Sequence, residues 1–147
     1  ERNRVYDILT TDPQYQVDKQ LHISENLRRF LSAAFTMWGE YFSFILTLNS
    51  LQVFSLIDQL QNQDELMEIE KDFLCTESKF EELMTEIFDN AKKKGEITTS
   101  LSSALIYDFL QGLVFTKVKN WYLQKSMGDI NESIDEILSF LGKGIGF

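Results

Sequence analysis

Apolar side chains recur at spacings of three, four and seven along most of the chain, which is the pattern of helices with one buried face. The pattern is clearest over residues 64–94, and Gly95 is placed to end that helix in the left-handed conformation. Asp64 and Glu65 at one end and Lys92–Lys94 at the other complement the helix dipole. The predicted apolar stripe consists of Leu66, Ile69, Phe73, Phe80, Leu83, Met84, Ile87, Phe88 and Ala91.

The N-terminal half predicts three further helices. Residues 2–10 form a short one, which ends at the chain's one proline because proline disfavours helix in the residue before it. Residues 15–48 form a long one with a break near His22, where Ser24 is a candidate N-cap. Residues 49–60, "NSLQVFSLIDQL", form a shorter third helix.

The C-terminal part predicts two more helices. Thr98 to Ser100 supply N-cap candidates for the helix over residues 101–123. Asp129, with Glu132 three residues on, forms a capping-box pattern at the start of the last helix, which is predicted to fray at "GKGIGF". The apolar stripe of that last helix is Ile130, Ile134, Ile137, Leu138 and Leu141.

Turn-forming residues are scarce. The 147 residues include one Pro and seven Gly, and four of those Gly lie from Gly128 onward. A fold built on strands needs a turn signal every ten or so residues. We therefore predict an all-α fold, an antiparallel bundle of about five to six helices, in a single domain over residues 1–147.

The helix over residues 101–123 is apolar around most of its circumference. An apolar circumference means burial on all sides, so we predict that one face meets the domain core and the opposite face meets another subunit. Gly112 costs about 1 kcal/mol relative to Ala in mid-helix, and close approach of a partner helix would offset it. The alternative is a central helix of a monomeric bundle. Three groups of side chains point in different directions: Leu105, Phe109 and Leu113; Val114, Val118 and Trp121; Ala104, Phe115 and Tyr122.

Charge and residue counts exclude several classes of protein. The net charge of −9 argues against a nucleic-acid groove in this domain, because such a groove needs clustered Lys and Arg. The single cysteine, Cys75, is expected in the core and fits a reducing compartment. No apolar run is long enough to span a membrane, and no signal peptide is recognisable. Because the chain starts at Glu1 without an initiator Met, we expect it to be cut from something longer.

Catalytic and metal-binding patterns are not found in the sequence. One histidine, His22, and one cysteine far from it make a zinc site unfavourable. The isolated glycines form no phosphate-binding loop, and the many glutamates of residues 65–86 mostly lie off the apolar stripe. The sequence predicts no enzyme, no metal and no cofactor.

The stretch "FDNAKKKGEITTSLSSALIYDFLQGLVFTKVKNWYLQK", followed by "DINESIDEILSFLGKGI", resembles the C-terminal part of tetracycline-repressor (TetR) family transcription regulators. The likeness consists of a basic helix end with "GEI", a helix opening on small polar residues with a mid-helix Gly, the aromatic Trp121, and a final apolar helix. It extends over about residues 80–145 and is only architectural over 20–80. No single motif is specific; their order and spacing form the likeness.

The resemblance implies a cytoplasmic homodimer that senses a small hydrophobic effector and controls transcription, as a repressor. DNA is then bound only through an N-terminal helix-turn-helix domain that these residues lack. The last two helices would pack with those of a second copy as a four-helix bundle. Two alternatives stay open: a helical homodimeric protein-interaction module, or a lipid or small-molecule carrier or small helical enzyme. The implied dimer residues are Leu105, Phe109, Gly112, Leu113, Ile134, Leu138 and Leu141.

By the same resemblance, the effector lies inside the bundle among the middle helices. Tyr107 and Gln111, four apart on a buried helix, are the predicted polar contacts. Asp108 is predicted either to pair with Lys119 of a second copy or to face the pocket. Glu40 lies in the aromatic run "FTMWGEYFSF", but it falls on a polar stripe between two apolar faces, so it points away from the aromatic rings. The other candidate ligand contacts are Phe35, Trp38, Phe42, Ile45, Phe54, Phe80, Met84 and Phe88.

Overall fold

A computed structural model describes residues 11–52, 56–124 and 130–147. Within these ranges it describes the side chains of all residues except 14, 44–52, 56–70, 72, 73 and 122–124. Within those ranges the protein is all-α and holds no strand, which confirms the predicted fold class. The predicted helix at residues 2–10 and the N-cap at Asp129 lie outside the described residues. The helices are α1 (Ile23–Gln52), α2 (Leu56–Lys94), α3 (Ser103–Gln124) and α4 (Ile130–Leu141), with a 3₁₀ turn at Pro13–Tyr15 and a π-helical turn at Gly142–Gly146.

The predicted helix boundary between residues 48 and 49 is wrong. α1 continues through Asn49 and Ser50 to Gln52, and α2 is already helical at Leu56. The predicted short helix over residues 49–60 is therefore divided between two long helices. Asn and Ser cost only a fraction of a kcal/mol in a helix interior, so they do not end one without a further signal.

α1 begins at Ile23, next to the predicted break near His22, but the helix predicted before that break is wrong, because residues 16–22 are not helical. Ser24 is not the N-cap of α1. The Nδ1 atom of His22 accepts the backbone N–H of Ser24 at 3.2 Å. The backbone carbonyl of His22 accepts the N–H groups of Glu25 and Asn26. The imidazole thus satisfies a free N–H at the helix start, as N-cap side chains do.

The end of α2 follows the prediction. Gly95 has φ of 75°, its N–H donates to the carbonyl of Lys92, and the N–H of Glu96 donates to the carbonyl of Ala91. This pair of hydrogen bonds is the Schellman pattern of a glycine-terminated helix. The side chain of Lys94 donates to the carbonyl of Lys19, so part of the basic run ties the end of α2 to the segment before α1.

The N-cap of α3 is Ser102, not Thr98 to Ser100. The Oγ atom of Ser102 accepts the N–H of Leu105 at 3.2 Å, and its carbonyl accepts the N–H of Ile106. Of the predicted candidates, Thr99 makes a local hydrogen bond before the helix, in which its hydroxyl accepts the N–H of Leu101.

The C-terminal segment "GKGIGF", predicted to fray, is docked. Its π-helical turn places the carbonyl of Ile145 where the N–H groups of Thr98 and Thr99 both donate to it, at 3.0 and 3.1 Å. Gly146 has φ of 81°. The turn therefore closes the bundle against the loop between α2 and α3.

α1 is the central helix, because it contacts α2, α3, α4 and the 3₁₀ turn. Two positions of the predicted α2 pattern differ: Cys75 is exposed, and so is Leu83. In the described ranges, no helix has both the length and the apolar content of a membrane span. The largest fully buried side chains of the core are Tyr107, Phe30, Phe88, Ile23, Leu27, Leu31, Met84, Ile106, Leu110, Ile134, Val114 and Val118.

Candidate functional site

An aromatic cluster lies between α1 and α3. The ring of Trp38 meets that of Phe115 edge-on at a centroid distance of 5.2 Å, and Phe42 lies 5.5 Å from Phe115 and 5.9 Å from Trp38. Tyr41 adds a further edge contact to Trp38 at 6.0 Å. Trp38 and Phe42 are partly buried and Phe115 is 38% exposed, so part of this apolar surface faces solvent.

A chain of hydrogen bonds runs from this cluster into the core. Trp38 Nε1 donates to Gln111 Oε1 at 3.2 Å, Gln111 Nε2 donates to the Tyr107 hydroxyl at 2.5 Å, and that hydroxyl donates to the backbone carbonyl of Glu77 at 3.3 Å. The chain joins α1 to α3 and α3 to α2. Among the described residues, no buried side-chain nitrogen or oxygen lacks a partner, as expected where unpaired polar groups are costly.

Behind the chain the packing is closed. Tyr107 is 2% exposed and its ring lies 5.7 Å from that of Phe30, which in turn meets Phe80 edge-on at 5.9 Å. Met84 and Phe88 are fully buried. This inner part is core, and the polar chain marks the boundary between the core and the partly exposed aromatic cluster.

The electrostatics of the site favour a neutral Tyr107. Burial raises the pKa of its hydroxyl well above the usual value, and the carboxylates of Glu77, Glu81 and Asp108 raise it further, against an opposing hydrogen bond from Gln111. Burial also raises the pKa of Glu77, with a contribution from Glu81. Tyr107 is therefore a hydrogen-bonding hydroxyl and not an anion at neutral pH.

The structure brings only part of the predicted ligand set together. Trp38, Phe42, Tyr107 and Gln111 form the polar chain and its aromatic surroundings. Phe35, Met84 and Phe88 lie in the same buried core as Tyr107, and Phe80 packs against that core as Trp38 and Phe42 do. The ring of Phe35 lies 5.2 Å from that of Trp121. The Ile45 side chain and Phe54 lie outside the described residues. Glu40 is exposed, and so is Asp108.

Sequence reasoning missed two contributors to the site. Phe115 lies one turn after Gln111 on α3, and this spacing is a signal that adds Phe115 to the same face. The carbonyl of Glu77 gives no sequence signal, because every residue has one.

The outward face of α3 is the second notable surface. Leu105 is 40% exposed and Phe109 is 58% exposed, with Gly112 exposed between the two ends of the face. The other implied dimer residues lie elsewhere: Leu113 and Leu138 are partly buried against the core. Ile134 and Leu141 are 1% and 4% exposed and belong to the core of the single chain.

No family model, curated protein or solved structure matches the chain. Within the described ranges, no three His, Cys, Asp or Glu side chains lie together as a metal ion would require. The fold and the site define an all-α domain with a polar chain that links three helices beside a partly open aromatic cluster.

Proposed function

We propose that this chain is the effector-sensing and dimerisation domain of a TetR-like transcriptional repressor. The observation that supports it most is the chain of hydrogen bonds from Trp38 through Gln111 to Tyr107. It is a polar recognition element at the edge of an apolar aromatic surface, and small-molecule sites combine these two features.

The ligand class follows from the side chains. The rings of Trp38, Phe42 and Phe115 offer flat and edge surfaces to a planar aromatic or otherwise hydrophobic molecule. The amide of Gln111 presents both a donor and an acceptor. A ligand carbonyl takes the place of Gln111 Oε1 as acceptor for Trp38, or a ligand N–H takes the place of Trp38 as donor to Gln111.

The proposed coupling uses the same hydrogen bonds. Because Trp38 is on α1 and Gln111 is on α3, a ligand inserted between them favours a different α1–α3 spacing. A ligand shifts a conformational equilibrium only by its difference in affinity for the two arrangements. In this proposal the shift alters the distance between two DNA-binding domains outside residues 1–147, and operator affinity falls.

Ligand binding is tested by a thermal-shift screen with planar aromatic and acyl compounds, since a ligand bound only by the folded state raises its melting temperature. Compounds that raise it are repeated on Trp38→Phe and Gln111→Met, with Trp121→Phe as the matched control on the other tryptophan. We expect the shift to shrink in the first two variants and to persist in the control. Equal shifts in all three variants would contradict a site at Trp38 and Gln111.

The transcriptional part of the proposal has its own test. A helix-turn-helix coding segment directly upstream of Glu1 is expected. The purified chain itself should show no sequence-specific DNA binding in a mobility-shift assay, consistent with its net charge of −9. Tight, operator-specific binding by this chain alone would refute the assignment.

A further inference from the structure

The outward face of α3 carries a charge pattern that is complementary to itself. Asp108 and Lys119 are both exposed, and they lie about three helical turns apart on one side of the helix. Within the described residues Asp108 has no ion pair, and Lys119 lies over the ring of Phe115 with its Nζ 5.9 Å from the centroid. Leu105 and Phe109 add exposed apolar surface on one side of these charges.

Gly112 lies close to the midpoint between the two charges. A Cβ atom added there meets nothing within 4 Å in the chain itself. The helix thus loses about 1 kcal/mol of stability at this position relative to Ala without any packing benefit inside the chain. A bare backbone at the centre of an exposed apolar face permits a close approach by another helix.

The positions of Asp108 and Lys119 favour an antiparallel over a parallel arrangement of two α3 helices. In a two-fold pair of parallel α3 helices, Asp108 is level with Asp108 of the other copy and Lys119 with Lys119, so like charges share a level and no Asp108 is paired with a Lys119. In an antiparallel two-fold pair whose axis passes beside Gly112, Asp108 of one copy is level with Lys119 of the other, and the pairing occurs twice. Both residues lie on the same edge of the face, as this two-fold axis requires.

We propose that α3 pairs antiparallel with α3 of a second copy of this chain, crossing beside Gly112, with Asp108 of each copy paired to Lys119 of the other. This rests on the dimerisation in the proposed function and specifies its register. The exposed rings of Phe109 pack across the crossing point, and the two ion pairs close one edge.

The test is a charge exchange measured by sedimentation equilibrium at low salt. The variants are Asp108→Lys, Lys119→Asp and the double variant, which keeps the net charge of the wild type. Each single change affects two ion pairs, so we expect the dimer dissociation constant to rise roughly tenfold. The double variant should return to within about threefold of wild type. Glu82→Lys and Lys71→Asp, at exposed positions of α2, carry the same charge changes and should leave dimerisation unchanged.

The different failures are distinguishable. A stable wild-type dimer with unaltered affinity in both single variants would overturn the register and leave dimerisation standing. The register would be overturned equally if the dissociation constant of the double variant rose by the product of the two single-variant factors. A wild-type chain that sediments as a monomer at micromolar concentration would overturn both the register and dimerisation, while the ligand screen stays an independent test of the effector site.

Discussion

The indole N–H of Trp38 donates to the side-chain oxygen of Gln111 across 3.2 Å, and this bond joins α1 to α3. The same amide passes a hydrogen bond on to Tyr107 at 2.5 Å. Gln111 therefore satisfies two other polar groups at once. Its loss would leave both without this partner near the core, which makes it the most sensitive member of the chain.

Replacing Gln111 with Met keeps the length and removes the amide. We expect the free energy of unfolding to fall by roughly 1–3 kcal/mol, because the Trp38 N–H and the Tyr107 hydroxyl each lose a partner. Urea unfolding at pH 7 measures it, with exposed Glu40→Gln as the control. In a double-mutant cycle, Trp38→Phe should cost less when Gln111→Met is already present than it does in wild type. Strict additivity would show that the Trp38–Gln111 bond contributes nothing.

The raised pKa of Tyr107 predicts that the folded protein loses stability at alkaline pH. Its pKa is raised in the folded state, so the folded protein holds the hydroxyl proton more tightly than the unfolded chain does. The contribution of this raised pKa to the free energy of unfolding is complete below the pKa of tyrosine in the unfolded chain, about 10. It is lost as the pH rises from there toward the pKa of the folded state. Tyr107→Phe should be less stable than wild type at pH 7, and the difference should shrink or reverse above about pH 10. A difference that stays constant between about pH 7 and 11 in urea unfolding would contradict the raised pKa.

Gly146 combines a left-handed backbone with a close neighbour. Its φ is 81°, and a Cβ atom added there would overlap the Oγ1 atom of Thr98. Gly146→Ala should therefore destabilise the protein by about 2 kcal/mol or more. Gly144→Ala is the matched control, because a Cβ at Gly144 meets nothing within 4 Å. Adding Thr98→Gly should recover part of the loss, by removing the clash and not the backbone strain. Equal melting temperatures for the two alanine variants would refute the docked turn.

Asn26 is 2% exposed and holds the loop before α1. Its Oδ1 accepts the N–H of Asp18 at 2.9 Å, and its Nδ2 donates to the carbonyls of Asp18 and Leu21 at 2.8 and 3.4 Å. Asn26→Leu removes these bonds and should cost roughly 2 kcal/mol. Limited trypsin digestion should then cut faster after Lys19, whereas exposed Gln20→Ala should not change the rate. Unchanged cleavage and stability in Asn26→Leu would show that the loop is held by other contacts.

The fold class could be predicted from the sequence because periodicity and scarce turn residues are local signals. Gly95 was predictable for the same reason. The N-caps of the helices were less predictable, because a cap depends on where the chain enters the helix. His22 caps α1 in place of Ser24, and Ser102 caps α3 in place of Thr98 to Ser100.

The candidate site was only partly predictable. A helical wheel identifies Tyr107 and Gln111 as neighbours on α3, but it does not show that Trp38, which is 73 positions away, completes the chain. It also does not distinguish an apolar stripe that faces the core from one that faces a partner. Ile134 and Leu141, on the apolar stripe of α4, are buried in the core of the single chain.

Gly112→Ala distinguishes the two interpretations of the glycine by effects of opposite sign. In an isolated chain the substitution adds about 1 kcal/mol of stability, because Ala is the better helix former and its Cβ meets nothing. At an α3–α3 crossing the added methyl group separates the helices, so the dimer dissociation constant should rise. Unfolding of the monomer at low concentration reports the first effect, and sedimentation equilibrium reports the second. Thr116→Ala, at an exposed position one turn further along the same face, is the control, since it adds no bulk. A variant that is more stable and dimerises as well as wild type would place the α3 crossing away from Gly112.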